Sequence, residues 1–226
     1  MRVLFNRNPV QMTRIDPDIA TWVQRDAETI RNYREAAPDK ITEFGLRELI
    51  KSMPIVGDKK YITVDTKVAY LMPGMSPSIP GWHTDGIPRG DSLHPRDKGV
   101  PNLEQHMKFP NAGPRYHLYT SGWHCPTEFI VNPMQLEIPE DIGRDLYAHI
   151  DRKIEANKID PWLETLHTNP AHVYTWDSWN IHRALSATHT GWRLLVRVCE
   201  CDVLAPRDEG YIRTQNQVYV TRRIGW

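Results

Sequence analysis

NIHRALSATHTGWRLLVRV, residues 180–198, is the stretch on which the reading of this chain turns. Its second half is a β-rich run in which Arg193, Leu195 and Arg197 fall on one face of a strand, because successive side chains alternate sides. His182 stands before it, with ten residues between it and Arg193. Working outward, the same texture of short β-rich runs broken by Pro and Gly extends back to residue 57: YITVDTKVAYLMPG, PGWHTDG, RYHLYTSG, PTEFIVNPMQLEIP, HVYTWDSW and GWRLLVRVCECD. Strands punctuated in this way predict a sandwich or barrel.

Helices flank that core. Residues 16 to about 53 read as helical, with Asp16 or Asp18 as N-cap, apolar Ile19, Trp22, Val23 and Ile30, and a break at Pro38 before TEFGLRELIKSM, where Leu46, Leu49 and Ile50 recur at helical spacing. One further helix, from about Pro139 to Asn157, repeats Ile142, Leu146, Ile150 and Ile154 every four residues and is expected to pack on one sheet. The longest stretch without pattern, Ile87 to Pro114, has the length of an active-site lid. We therefore expect one domain over 1–226: a helical N-terminal support (1–56), a β core (57–204) and a C-terminal extension (205–226).

Composition narrows the function class. Hydrophobic residues at 40% and charged residues at 25% are globular proportions. Lys plus Arg and Asp plus Glu balance at 28 each, so no bulk charge draws the chain to nucleic acid or an anionic membrane. No apolar run approaches the roughly 20 residues that cross a bilayer, and three cysteines are too few for a disulfide framework, so a reduced, cytoplasmic setting is expected. Walker, dinucleotide-binding and serine-hydrolase motifs are missing.

In PGWHTDG, His83 and Asp85 are two apart, so on an extended strand both project to one face while Thr84 points away. An imidazole and a carboxylate so placed supply two ligands of a two-His, one-carboxylate site, which leaves three positions open on a non-haem iron. The third ligand must come from elsewhere. His-x-Asp is common, and a turn with a surface His and Asp explains the triplet equally well when it is taken alone.

Together, His83, Asp85, His182 and Arg193 resemble the pattern of the Fe(II)/2-oxoglutarate-dependent oxygenase superfamily: His-x-Asp, a long gap, a distal His, and an Arg about ten residues later. Thr190, Gly191, Trp192 and Arg193 open the last strand much as in its phytanoyl-CoA hydroxylase-like branch, and VAYLMPGMSPSIPGWHTD and RYHLYTSGWHCPTEF are similar to neighbouring segments of that branch. The likeness covers roughly residues 65 to 203. It implies a double-stranded β-helix (jelly-roll, cupin-like) core, Fe(II) held by His83, Asp85 and His182, and 2-oxoglutarate and O2 as cosubstrates. It also implies hydroxylation or a related oxidation rather than halogenation, since related halogenases replace the carboxylate ligand with a small residue. For the far carboxylate of 2-oxoglutarate the resemblance points to Arg193, a fixed bidentate cation. Arg197, on the same face, is the alternative, or else pairs with Glu200 or Asp202 at the rim. Tyr70, ahead of Tyr116 and Tyr119, is the candidate hydroxyl for the same carboxylate.

Other residues carry competing readings. His117, His124 and Glu128 form a rival metal set, and Cys199 with Cys201 could take a soft metal, though core thiols explain them better. Trp176, Trp179 and Trp192 are expected at the mouth of the barrel, with Trp82 in the core. The 87–114 loop sets Arg89, Arg96, Lys98, Lys108, His94 and His106 against Asp91, Asp97 and Glu104, a mildly basic balance suited to a carboxylated or phosphorylated small molecule; a nucleobase fits the zero net charge less well. The tail, with Arg207, Arg213, Arg222 and Arg223, reads as an extra strand or an oligomer contact. A cupin-like metal-binding protein without 2-oxoglutarate turnover is the reading from another class.

Overall fold

The computed structural model describes residues 1–91, 93, 99–156, 163–204 and 216–220. It opens with two strands where the sequence suggested only helices: β1 (Arg2–Phe5) and β2 (Gln11–Arg14). Four-residue strands are too short to declare themselves by periodicity, and both form because partners from mid-chain supply their hydrogen bonds. Helix α1 (Pro17–Arg25) starts where Asp16 predicts, its Oδ1 accepting from the Asp18 N–H at 2.8 Å with Pro17 in the first turn. It ends far earlier than expected. Residues 31–36 run instead along an edge of the sheet: Ala36 bridges Val64, Thr66 N donates to Tyr33 O at 2.9 Å, and Val68 N donates to Asn32 Oδ1. Edge hydrogen bonds thus outweigh the weak helical pattern around Ile30. Helix α2 (Phe44–Ser52) follows and buries Leu46, Leu49 and Ile50 as predicted.

The remaining strands are β3 (Tyr61–Leu71), β4 (Met75–Ser76), β5 (Arg115–Thr120), β6 (Thr127–Ile130), β7 (Met134–Glu137), β8 (Thr165–His167), β9 (His172–Asp177), β10 (His182–Ala184), β11 (Gly191–Cys201) and β12 (Tyr219–Val220). Helix α3 (Leu103–Lys108), capped by Asn102, lies within the stretch read as an unpatterned loop, and α4 (Leu146–Ala156) is the inserted helix, burying Leu146, Ile150 and Ile154. All strand pairs are antiparallel. The large sheet runs β2-β9-β5-β11-β3, a smaller one β10-β6-β8, with β1-β7 and β4-β12 as two-stranded ribbons. The chain is mainly β. No helix among the described residues is long and apolar enough to cross a membrane.

Alternation on the large sheet decides what each face does. Val64, Tyr119, Val173, Leu194, Val196 and Val198 pack with α1 and α2 on one side. On the other, Tyr116, Leu118, Tyr174 and Trp176 meet Phe129 of the small sheet, the face-to-face packing of a sandwich. Direct register places Arg193 opposite Ala69, Leu195 opposite Lys67 and Arg197 opposite Asp65 on this second face. A charged row inside a sandwich calls for a functional explanation, because a buried ion is costly unless it is paired.

The helix-covered face holds one polar network of its own. Glu200 is buried and accepts from His117 Nε2 at 2.8 Å, Gly57 N at 2.6 Å and Val56 N at 3.2 Å, with Arg115 also in reach. Burial opposes ionisation of Glu200, but these hydrogen bonds outweigh it and hold the carboxyl below its ordinary range; burial also lowers His117. Both shifts have the same sign for stability: a depressed acid and a histidine buried neutral stabilise at neutral pH and lose that contribution as pH falls through their folded values. Denaturant unfolding from pH 5 to pH 3, the range in which a depressed carboxyl takes up its proton, is expected to show falling stability, with a shallower fall in Glu200→Gln. An identical pH slope in the variant would show that Glu200 contributes nothing.

Candidate metal centre

His83 and His182 face one another across an isolated antiparallel bridge, His83 N donating to His182 O at 3.0 Å and His182 N to His83 O at 2.9 Å. Their rings lie 4.7 Å apart. Asp85 follows two residues after His83, and one donor atom each from His83, Asp85 and His182 falls within 4.8 Å of the others. The turn after Asp85 needs glycine: Gly86 has φ +91° and a Cβ there would lie 2.7 Å from the Pro114 ring.

Hydrogen bonding settles which imidazole nitrogen is available. His83 Nδ1 lies 2.8 Å from Gly81 O, and His182 Nδ1 lies 3.1 Å from Asn180 O. A carbonyl only accepts, so each Nδ1 carries a proton, and Nε2 is the nitrogen through which each ring, when neutral, can offer a lone pair to a cation, an arrangement common in metal-binding histidines. Burial, reinforced by repulsion from His182, lowers His83 and keeps its ring neutral. Burial works against ionisation of Asp85, but His182 and Arg197 overcome it and hold the carboxyl far below its usual range. A neutral imidazole pair and a carboxylate is the donor set that suits non-haem Fe(II).

One guanidinium braces both ligand-bearing segments. Arg183, next to His182, donates to Glu128 Oε2 at 2.7 Å and Glu155 Oε1 at 2.9 Å, and lies 4.1 Å over the ring of Trp82, next to His83. Trp82 in turn donates its indole N–H to Glu155 and its backbone N–H to Asp151, both on α4. Arg183→Met is expected to weaken metal binding about tenfold, as losing an outer support of the ligands does. Equilibrium dialysis would measure this, and unchanged affinity would show that the ligands hold their places without the brace.

The three residues open on a cavity of about 780 Å³, also lined by Lys67, Leu118, Thr127, Tyr147, Trp176, Arg193, Leu195 and Arg197. Of the two arginines, Arg197 does not pair with Glu200 or Asp202. Its NH1 donates to Asp85 Oδ2 at 2.6 Å and its NH2 to Asp65 Oδ2 at 2.9 Å. Arg193 is almost fully buried, at 1% exposure, and gives its hydrogen bonds to neutral acceptors, Cys125 O at 2.7 Å and Thr127 Oγ1 at 3.3 Å. Burial lowers its pKa, and among the described residues no carboxylate pairs with it. A buried guanidinium lacking a counter-ion is suited to an incoming carboxylate.

Several expectations need correction. Tyr70 lies on the opposite side of β3 from Asp65 and Lys67, is 53% exposed, and stacks edge-on against Trp192; it cannot reach the cavity. Trp192 is therefore outside the mouth too. Tyr116 does face inward, its ring 5.2 Å from the Arg197 guanidinium, whereas Tyr119 is buried on the helix side. Trp176 stands edge-on to His182, while Trp179 is sandwiched between Arg7 and His106. The rival set does not assemble: His117 is bound to Glu200, Glu128 to His167 and Arg183, and His124 lies against His189. Cys199 and Cys201 form no disulfide, and Cys199 is packed near Tyr116 and Trp176. Of the basic loop, Arg89 lines the cavity and Lys108 lies over Phe109; His94, Arg96, Asp97 and Lys98 lie outside the described residues. So do Arg207, Arg213, Arg222 and Arg223, although β12 does add an extra strand, on β4.

Lys67 and Tyr147 were not anticipated. Lys67 had a signal, a lysine two positions after an aspartate in a strand otherwise without charge. Tyr147 had none, since only the packing of α4 brings it edge-on to His83 at 6.4 Å.

No family model matches the chain, and no curated protein matches it. Among solved structures it is similar to a novel N-substituted L-amino acid dioxygenase in complex with α-ketoglutarate from Burkholderia ambifaria AMMD, at 14% identity and a TM-score of 0.37, over 85% of this chain and 82% of that one. A likeness that loose does not bear on activity.

Proposed function

We propose that the chain is an Fe(II)- and 2-oxoglutarate-dependent dioxygenase that hydroxylates, or otherwise oxidises, a small polar or anionic molecule. The observation that carries this reading is the joint one: a His83, Asp85 and His182 cluster in which backbone carbonyls engage both Nδ1 atoms, in the same cavity as a buried Arg193 that no carboxylate among the described residues neutralises. We read the two packed sheets as a double-stranded β-helix of the phytanoyl-CoA hydroxylase-like kind. The whole chain works as one domain in this reading, since β1 and β2 pair with strands from its middle.

His83, Asp85 and His182 hold the iron. Arg193 takes the far carboxylate of 2-oxoglutarate, with the Thr127 hydroxyl beside it. Iron with 2-oxoglutarate and O2 supplies an oxidant, with succinate and CO2 as co-products. Arg197 holds Asp85 ionised and aimed, anchored in turn by Asp65. Leu118, Leu195 and Trp176 keep water from the reacting side of the cavity. Screening small carboxylates and other anions for stimulated succinate release tests the reading. Stimulation that disappears without iron is expected; native protein that binds iron yet forms no iron-dependent succinate at all would contradict it.

A further inference from the structure

Two buried cations share the floor of the cavity, and neither has an anionic partner among the described residues. Arg193 bonds only the Cys125 carbonyl and the Thr127 hydroxyl. Lys67, buried opposite Leu195, donates through Nζ to the carbonyls of Pro77 and, at 2.6 Å, Gln217. Nearby carboxylates are engaged elsewhere: Asp65 and Asp85 by Arg197, Asp151 by the Trp82 N–H. Burial, and then repulsion from Arg193, lowers the Lys67 ammonium to about 8. It is still mainly charged at neutral pH. One carboxylate of 2-oxoglutarate on Arg193 compensates only one of the two cations, and an uncompensated buried charge is costly.

The two side chains also point to different walls. Arg193 reaches the start of β6, whereas Lys67 reaches the strap formed by β4 and β12, since Pro77 directly follows β4 and Gln217 lies just before β12. Ser78, Ile79 and Tyr219 of this strap line the cavity. An ammonium has three N–H donors, and two are taken by carbonyls. The one that remains can be offered to an anion in the cavity that Lys67 lines.

We propose that Lys67 is the substrate-recognition residue of this centre: its ammonium binds the carboxylate of the molecule to be oxidised, beneath the β4-β12 strap, while Arg193 holds the cosubstrate. The proposal rests on the oxygenase reading, and its test keeps the two apart. Protein loaded with Zn(II) as an inert stand-in and saturated with 2-oxoglutarate is titrated with butyrate and with butyramide, followed by saturation-transfer NMR. Butyrate is expected to bind about tenfold more tightly than the amide, a preference that charge recognition supplies. Lys67→Met should erase that preference and leave 2-oxoglutarate affinity within about twofold. Lys67→Gln, which keeps a donor for the strap, should behave the same way and separates charge from folding. A butyrate preference that survives both variants, or none in the native protein, overturns the proposal. So does a loss of 2-oxoglutarate affinity in Lys67→Met as large as in Arg193→Met, which would place both cations on the cosubstrate. Should native protein fail to bind 2-oxoglutarate, the oxygenase reading falls, and butyrate titration of metal-free Arg193→Met, with and without Lys67, then decides the role of Lys67 alone.

Discussion

Replacing Asp85 or His182 with alanine is expected to abolish iron-dependent succinate formation and to weaken Fe(II) binding by more than the roughly 10–100-fold that outer supports of a metal site are worth. The expectation follows from geometry. Each residue contributes one of only three donor atoms, and no other His, Cys, Asp or Glu among the described residues joins the cluster. Asp85→Asn is the sharper variant, because it keeps the shape that Arg197 contacts while removing the charge that both Arg197 and a cation need. Equilibrium dialysis against Fe(II), beside a succinate assay, separates loss of metal from loss of fold. Full activity in Asp85→Ala or His182→Ala would sink the assignment of the triad.

Arg193→Met is expected to raise the 2-oxoglutarate requirement about 30-fold or more, the equivalent of about 2 kcal/mol for a buried charge pair lost. The same change should not destabilise the ligand-free protein, and should even stabilise it, because it removes a buried cation that has only neutral partners. Arg197→Met should do the reverse. It leaves Asp65 and Asp85 without their shared cation, so stability and iron affinity fall while the dependence on 2-oxoglutarate changes less. A large cosubstrate effect confined to Arg197→Met would exchange the roles of the two arginines. Thermal unfolding of the apo variants, read beside cosubstrate titrations, distinguishes the two patterns.

How legible this was in the sequence depended on range. His83 and Asp85 could be placed on one face because alternation is a local property, and Arg193 and Arg197 on one strand for the same reason. The helices α2 and α4 were readable from their apolar repeats. What pairs with what was not readable: that His83 and His182 are cross-strand neighbours, that Arg197 is held by Asp85 and Asp65, and that Tyr70 turns outward are all consequences of register between strands far apart in the chain. Register also explains Lys67, whose significance emerges only once Leu195 is opposite it and Gln217 returns from the chain end to meet it. The early strands β1 and β2 went unread because four residues carry too little pattern, and the region around Ile30 was misread because edge pairing with β3 outweighs helical preference there.

The central claim is that one cavity holds iron on His83, Asp85 and His182 and 2-oxoglutarate against Arg193. Anaerobic titration of the protein with Fe(II) and then 2-oxoglutarate tests it most directly. A weak visible charge-transfer band that needs both components, saturates at one equivalent of iron, disappears in Asp85→Ala and demands far more 2-oxoglutarate in Arg193→Met is the expected result. Tight iron binding with no such band at any 2-oxoglutarate concentration would contradict the claim and leave a metal-binding protein without this cosubstrate.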